Sequence, residues 1–526
     1  MPKPPRNTRK PASSARSTRS QSPYAASHSS AGKSRESSAA ESRPALRDTK
    51  TRSAKPASKA RPARNAEPAS APAVAKSAKP QRRPDSFPDS AHAQKQQPAR
   101  ARIQTDCAVV ARRAADRLRS GHLWVYATEL EQSPTVATPD ATSGAPALIP
   151  VTDTRGLLLG TALYSPQSQI PLRLISREPV SPAQWPSLLE QRLRTAIAQR
   201  LPLLNADNTA CRLVFSEADE LPGLILDKYG DLFLLQLLMQ PLATEATRDL
   251  VARVLQQSFA DACPQFTLWE RPDPRIRILE GIAEAPTAPL AAAQKDSPAS
   301  ETIFRMNGLR FHYNAAAGQK TGAFLDQKEN YVAAARWARE RKALGRALDV
   351  CTYQGGFALH LAQVCRTVTG VDASRAALEV AEANLALNRE AISGDLDWME
   401  ADAFTLLRDL AEPVSGSAAA RDWDLIVLDP PAFAKSRRAV EGALRGYKEL
   451  NLRALRMLRP GGVLVTCSCS HHVSLSDLEA TVAAAAIDAH RRVRVLERRG
   501  AAIDHPVILN LPETEYLKCL ICEVLP

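Results

Sequence analysis

With 526 residues, 44% of them hydrophobic and only 5% aromatic, the chain has room for about three domains with buried cores. Its net charge of +13 is uneven: residues 1–105 carry more than 20 Lys/Arg against six Asp/Glu, leaving the remainder near neutral or slightly acidic. No apolar run approaches the roughly 18 residues that span a bilayer, there is no secretory signal, and nine scattered cysteines argue against a disulfide framework and for a reduced, cytoplasmic setting.

The first 105 residues are mostly Ser, Ala, Pro, Arg and Lys, with Tyr24 and Phe87 as the only aromatics. Such a stretch cannot bury enough apolar surface to offset its ordering entropy and is expected to be disordered. It reads as a polybasic arm held by phosphates or as a plain solvated tail. A transit peptide is a third reading, since no acid precedes Glu36, but the prolines and the lack of an amphipathic stripe speak against it.

Order is expected from Asp106. Residues 106–180 hold short strands (108–111, 156–164, 170–175) and a Pro/Thr/Ser/Gly-rich loop at 132–147, a small β-rich module. Residues 181–302 mix helices (185–198, 244–259) with strands (211–215, 221–227, 231–238, 266–269), an α+β middle domain that closes in an Ala/Pro/Ser-rich linker at 283–301. From 303 onward strands and helices alternate, the pattern of a parallel sheet with crossover helices. Its strands are expected at 347–350, 367–371, 396–400, 425–428 and 463–467, with closing strands near 492–497 and 516–524.

The first of these strands ends Leu348-Asp349-Val350-Cys351 and runs into Thr-Tyr-Gln-Gly355-Gly356-Phe357. A Gly-bearing turn between strand and helix lets a ligand approach the backbone. The next strand ends in Asp372, where an acid can bridge ribose hydroxyls, and the third in Glu400-Ala-Asp402, which could read an adenine. The turn lacks the full Gly-x-Gly-x-x-Gly that a pyrophosphate demands, so a nucleoside cofactor such as S-adenosylmethionine fits better than a dinucleotide. Each acid alone could equally cap a helix; three at successive strand ends make a cofactor crevice the better account.

Two further strand tips carry the chemistry. Residues 424–435 form an apolar run into Asp429-Pro430-Pro431-Ala-Phe433-Ala-Lys, and 466–470 read Thr-Cys467-Ser-Cys469-Ser. Carbon 5 of cytosine is a poor nucleophile. A thiolate adding at carbon 6 turns it into an enamine that accepts a methyl group, after which the thiol leaves by elimination. Asp429 suits the polar contact to the base, the prolines would stiffen its loop, and Phe433 is available to stack. Cys467 and Cys469 are the two candidate nucleophiles, with Cys467 reading as part of the strand. His471 and His472 could tune the thiol, or be surface turn residues. A four-thiolate zinc site from Cys467, Cys469, Cys519 and Cys522 is conceivable, but 516–524 alternates as a strand with its cysteines as small apolar residues.

The chain resembles the RlmI-type family of large-subunit ribosomal RNA cytosine methyltransferases. Residues 119–126 (Arg-Ser-Gly-His-Leu-Trp-Val-Tyr) and 160–175 are similar to its PUA RNA-binding domain, 212–230 to its middle domain, and Gly318-Gln-Lys-Thr-Gly-Ala-Phe-Leu-Asp-Gln327 to the entrance motif of its methyltransferase domain. The likeness covers nearly all of 106–526 and excludes the tail. It implies an α/β chain: a β-rich PUA domain, a small α+β domain and a Rossmann-like class I methyltransferase domain (303–526). It also implies S-adenosylmethionine as cofactor, with Lys320, Thr321 and Phe324 closing over it and Asp349, Gly355, Asp372, Asp402 and Asp429 lining its pocket. Cys469 falls where related RNA cytosine methyltransferases carry their nucleophile. The product would be 5-methylcytidine in large-subunit rRNA; no metal and no membrane are expected, and a homodimer is left open. Alternatives are a purine amine or ring-nitrogen RNA methyltransferase, since Asp-Pro-Pro-aromatic loops also occur in amine methyltransferases, and a noncatalytic ribosome-assembly factor on the same scaffold.

Overall fold

The computed structural model describes residues 106–134, 147–259, 261–294, 298–315, 323–411 and 422–526. The basic stretch 1–105, most of the loop at 132–147, and Lys320 and Thr321 lie outside the described residues.

The N-terminal module comprises β1 (Ala108–Val110), α1 (Arg112–Arg119), β2 (Trp124–Val125), β3 (Leu130–Gln132), β4 (Leu148–Asp153), β5 (Leu158–Tyr164) and β6 (Leu172–Ser176), in a six-stranded sheet of order β2-β6-β5-β4-β1-β3. Helix α1 is an addition to the expected elements. Five of its eight residues are charged, yet Ala114, Ala115 and Leu118 fall on one face and are buried against the sheet. Arg117 ties the helix to the turn before β3 through a bidentate pair with Glu129, 2.6 Å at both contacts.

The middle domain contains α2 (Trp185–Arg200), β7 (Ala210–Phe215), β8 (Leu224–Tyr229), β9 (Leu232–Leu237), α3 (Glu245–Phe259), β10 (Thr267–Glu270), α4 (Pro274–Glu280) and β11 (Ala291–Ala292). Its sheet order is β11-β10-β9-β8-β7. The segment expected as a linker therefore returns a short strand to the edge of β10. Strand β9 is apolar almost throughout because both its faces are covered. Phe233, Leu235 and Leu237 pack with α2 and α3, whereas Leu232 and Leu234 point into the core of the next domain. Domains that are separable in sequence thus share one core.

A hairpin of β12 (Glu301–Met306) and β13 (Leu309–Asn314) follows. It turns on Asn307 and Gly308, both at positive φ (54° and 82°), the left-handed pair that a two-residue hairpin requires. Its Phe304, Phe311 and Tyr313 seal the shared core, with Tyr313 stacked on Tyr229 at 4.2 Å between ring centroids.

The last domain runs α5 (Lys328–Glu340), β14 (Arg346–Val350), α6 (Gly356–Ala362), β15 (Thr367–Asp372), α7 (Arg375–Leu387), β16 (Asp395–Glu400), α8 (Ala403–Ala411), β17 (Trp423–Leu428), α9 (Val440–Met457), β18 (Leu458–Ser468), α10 (Leu475–Asp488), β19 (Arg492–Arg499) and β20 (Lys518–Leu525). The sheet order is β16-β15-β14-β17-β18-β20-β19; β14 to β18 pair in parallel and β20 is antiparallel to both its neighbours. Residues alternate between faces: Ala347, Leu425, Val427, Val463 and Val465 enter the shared core, while Leu348, Ile426, Leu428 and Leu464 pack under α8, α9 and α10. The strand order reverses between β14 and β17, which places a crevice at their C-terminal ends. Among the described residues no helix is long and apolar enough to cross a membrane.

Candidate functional site

The turn after β14 is strained. Cys351, Tyr353 and Gly355 all adopt positive φ, at 66°, 52° and 86°, conformations that non-glycine residues hold only when neighbours over-determine them. Here they do. Thr352 N–H donates to Val371 O at 2.9 Å, and Tyr353 N–H to the Asp372 carboxylate at 2.9 Å. Beneath the turn, Asp349 Oδ2 accepts from Thr352 Oγ1 at 2.5 Å and from the Ala358 N–H at 2.9 Å. Asp349 is fully buried, and burial pushes its carboxyl up to about 7 despite those two donors.

These contacts change what several acids do. Gly355 was expected to leave room for a ligand; instead a Cβ there would meet the Trp398 indole at 2.7 Å, so packing and positive φ together require glycine. Asp372, half-buried at the tip of β15, uses one oxygen for Tyr353 N–H and the other for Ser374 N–H, both at 2.9 Å. Each oxygen keeps a second lone pair for a hydroxyl. Asp402 is exposed and accepts from Thr405 N–H at 2.9 Å, capping α8, and that bond lowers its carboxyl. Phe324, 37% exposed, leans on Tyr353 with 4.9 Å between ring centroids.

The crevice suits S-adenosylmethionine on one observation above all: Asp349 Oδ1 is buried with no hydrogen-bond partner among the described residues. An orphaned acid oxygen under a cofactor turn favours a ligand that carries positive charge and N–H donors. Asp349, Asp372 and Phe324 are the residues that would hold it.

The second half of the site forms where β17, β18 and β20 end. Asp429 N–H donates to Val350 O at 3.2 Å, joining the two crevice halves. Its Oδ2 accepts from Gln327 Nε2 at 2.9 Å, Gln327 Oε1 from Asn330 Nδ2 at 2.6 Å, and Asn330 Oδ1 from Arg499 Nε at 2.7 Å. Gln327 and Asn330 are both buried. This chain of side chains went unread in the sequence. Phe433, half-buried, packs on Tyr447 at 4.8 Å and Phe404 at 5.9 Å between centroids, anchoring the loop to α9.

The two cysteines are separated by the strand end. Cys467 lies within β18, fully buried opposite Cys519, and that neighbour together with burial holds its thiol well above the ordinary value. Cys469 lies one residue past the strand, half-buried, with Sγ 3.9 Å from Pro430 O. Its flanks are pinned: Tyr447 Oη is 3.0 Å from both Ser468 Oγ and Ser470 Oγ, and Ser470 Oγ accepts from Ala434 N–H at 3.1 Å. Cys519 shares a core with Cys467, whereas Cys522 packs on the opposite face of the sheet. His471 and His472 are exposed, His471 lying against Tyr516.

Comparison with known proteins gives a consistent picture. Residues 109–177 match a PUA-like domain and residues 294–504 an S-adenosylmethionine-dependent methyltransferase. A ribosomal RNA large subunit methyltransferase I from Aliivibrio fischeri is 32% identical over 409 residues, 77% of this chain and 96% of the relative. One of the same name from Klebsiella pneumoniae is 33% identical over 419 residues, 79% and 98% respectively. In fold, the chain is similar to a Streptococcus mutans structure described as a SAM-dependent methyltransferase, with a TM-score of 0.62 at 18% identity, covering 80% of this chain and all of that one.

Proposed function

This chain belongs to the ribosomal RNA large subunit methyltransferase I family and is an S-adenosylmethionine-dependent methyltransferase; from that premise we propose that it makes 5-methylcytidine in large-subunit rRNA with Cys469 as nucleophile. The observation that carries the reading is the half-buried Cys469 thiol facing the Asp429-Pro430 loop at 3.9 Å.

S-adenosylmethionine, when bound, supplies a methyl group on a cationic centre. The work of the protein is to make carbon 5 electron-rich. The Cys469 thiolate adds its electron pair to carbon 6 of the base, and the displaced π pair moves onto the ring nitrogen beside the amino-bearing carbon. Asp429, held by Gln327, is the group that would carry the proton there and fix the ring. Once carbon 5 bears the methyl group, its proton passes to solvent, the carbon–hydrogen pair re-forms the ring double bond, the sulfur–carbon pair returns to sulfur as thiolate, and the ring-nitrogen proton returns to Asp429. The base has to leave its stack to reach a thiol at this depth, and the PUA-like module at 109–177 is the natural surface for the flanking RNA.

Nine cysteines outside any disulfide support a cytoplasmic location, and gel filtration tests whether the chain forms a homodimer. Incubating the protein with S-adenosylmethionine and unmodified large-subunit rRNA, then digesting to nucleosides for mass spectrometry, tests the product. We expect 5-methylcytidine. A methylated purine would overturn the cytosine assignment.

A further inference from the structure

We propose that Lys518 is the counter-ion that keeps Cys469 ionised. The amine sits at the first residue of β20, directly across from Ser468, the last residue of β18. The residue is 4% exposed, and Nζ donates to Ser470 O at 2.7 Å and Tyr516 O at 2.8 Å. An ammonium has three protons to give, and two backbone carbonyls account for two of them. Among the described residues Lys518 makes no ion pair. A buried ammonium without a counter-charge is costly, and burial lowers this one to about 8.

The groups that face it leave one candidate for the missing negative charge. Glu515, on the approach to β20, is exposed to solvent. Asp477, in the first turn of α10, is held by Ser474 N–H at 3.0 Å and Ser474 Oγ at 2.7 Å. Tyr447 of α9 is committed to Ser468 and Ser470, and burial keeps its phenol protonated. The remaining partner is Cys469, which lies between the two serines that Lys518 meets, Ser468 across the ladder and Ser470 through its carbonyl. An ammonium held beside a thiol favours its thiolate. On ionisation the thiol proton passes to solvent and Lys518 remains an ammonium. The nucleophile is then ready before the base arrives, by the charge-pairing that activates cysteines elsewhere.

The catalytic meaning of this pair rests on Cys469 being the nucleophile, whereas the pairing itself does not, so the two are tested separately. In the full chain, the rate of Cys469 alkylation by iodoacetamide is followed by peptide mass mapping between about pH 6 and 10. Lys518→Met should move the midpoint up by about one unit and slow alkylation near neutrality about tenfold, while Lys518→Arg should keep a low midpoint. An unchanged profile in Lys518→Met that still binds S-adenosylmethionine overturns the proposal. If Lys518→Met does not fold, the same coupling is read from the other side: Cys469→Ala should lower the midpoint of the Lys518 amine in an NMR titration, and an unshifted amine overturns the proposal equally. Trapping on RNA carrying 5-fluorocytidine separates the premises. No wild-type adduct with a shifted thiol removes the nucleophile reading alone; an adduct with an unshifted thiol removes Lys518 alone.

Discussion

The cofactor crevice and the thiol site are neighbours built by opposite means. In the crevice, acids at the tips of β14, β15 and β16 spend their oxygens on nearby backbone N–H groups: Asp349 on Ala358, Asp372 on Tyr353 and Ser374, Asp402 on Thr405. In the thiol site, side chains far apart in sequence bond to one another, as Gln327 does to Asp429 and Tyr447 to Ser470. Local backbone contacts build a stiff cradle for a ligand that is the same in every turnover. Long-range side-chain contacts set the direction of reacting groups.

The largest effect that would break this contrast is Asp372→Ala. It strips two buried-side N–H groups of their acceptor and releases the left-handed Tyr353, so S-adenosylmethionine affinity should fall at least tenfold, about 1.4 kcal/mol or more. Calorimetry on the folded variant checks this, and unchanged affinity would mean that the strained turn does not form the cofactor site. Next in size is Gln327→Leu, which keeps the volume but loses the bond to Asp429. The turnover number should drop roughly tenfold with cofactor affinity within about twofold; an equal loss of both would join the two halves into one unit. The smallest effect is Asp349→Asn. The ordinary carboxyl titrates near 4 and this one near 7 when folded, so between those values the folded protein holds the extra proton. The stability contributed by Asp349 is complete below the unfolded value and is lost as pH rises through about 7. Cofactor-free wild type should therefore lose Tm between about pH 5 and 8 more steeply than Asp349→Asn. Parallel curves in scanning calorimetry would contradict the buried carboxyl.

The same contrast explains what could be read from sequence. Strand, turn and helix at 346–362, the acid ending β15 and the Asp-Pro-Pro loop are patterns of adjacent residues, legible because local chemistry dictates them. The hairpin at Asn307-Gly308, where Phe304, Met306, Leu309, Phe311 and Tyr313 alternate about the strongest short hairpin signal, has the same local character. Helix α1 was hidden because five charges obscure a three-residue apolar face. Gln327, Asn330 and Arg499 carry no joint signal, since nothing local links residues some 170 positions apart. Nothing local marks Lys518, and only the pairing of β20 with β18 brings it beside Ser470. Gly355 was legible as a turn residue, but the Trp398 ring that fills its open side was not.

The central claim, a covalent bond from Cys469 to carbon 6 of a cytosine, is tested most directly with rRNA carrying 5-fluorocytidine at the target. Fluorine replaces the proton that has to depart, so elimination stops and a protein–RNA adduct should accumulate, mapping to Cys469 by mass spectrometry. Cys469→Ala should lose both adduct and methylation while binding S-adenosylmethionine normally, and Cys467→Ala should retain at least part of both. An adduct mapping to Cys467, or full methylation by Cys469→Ala, would contradict the account.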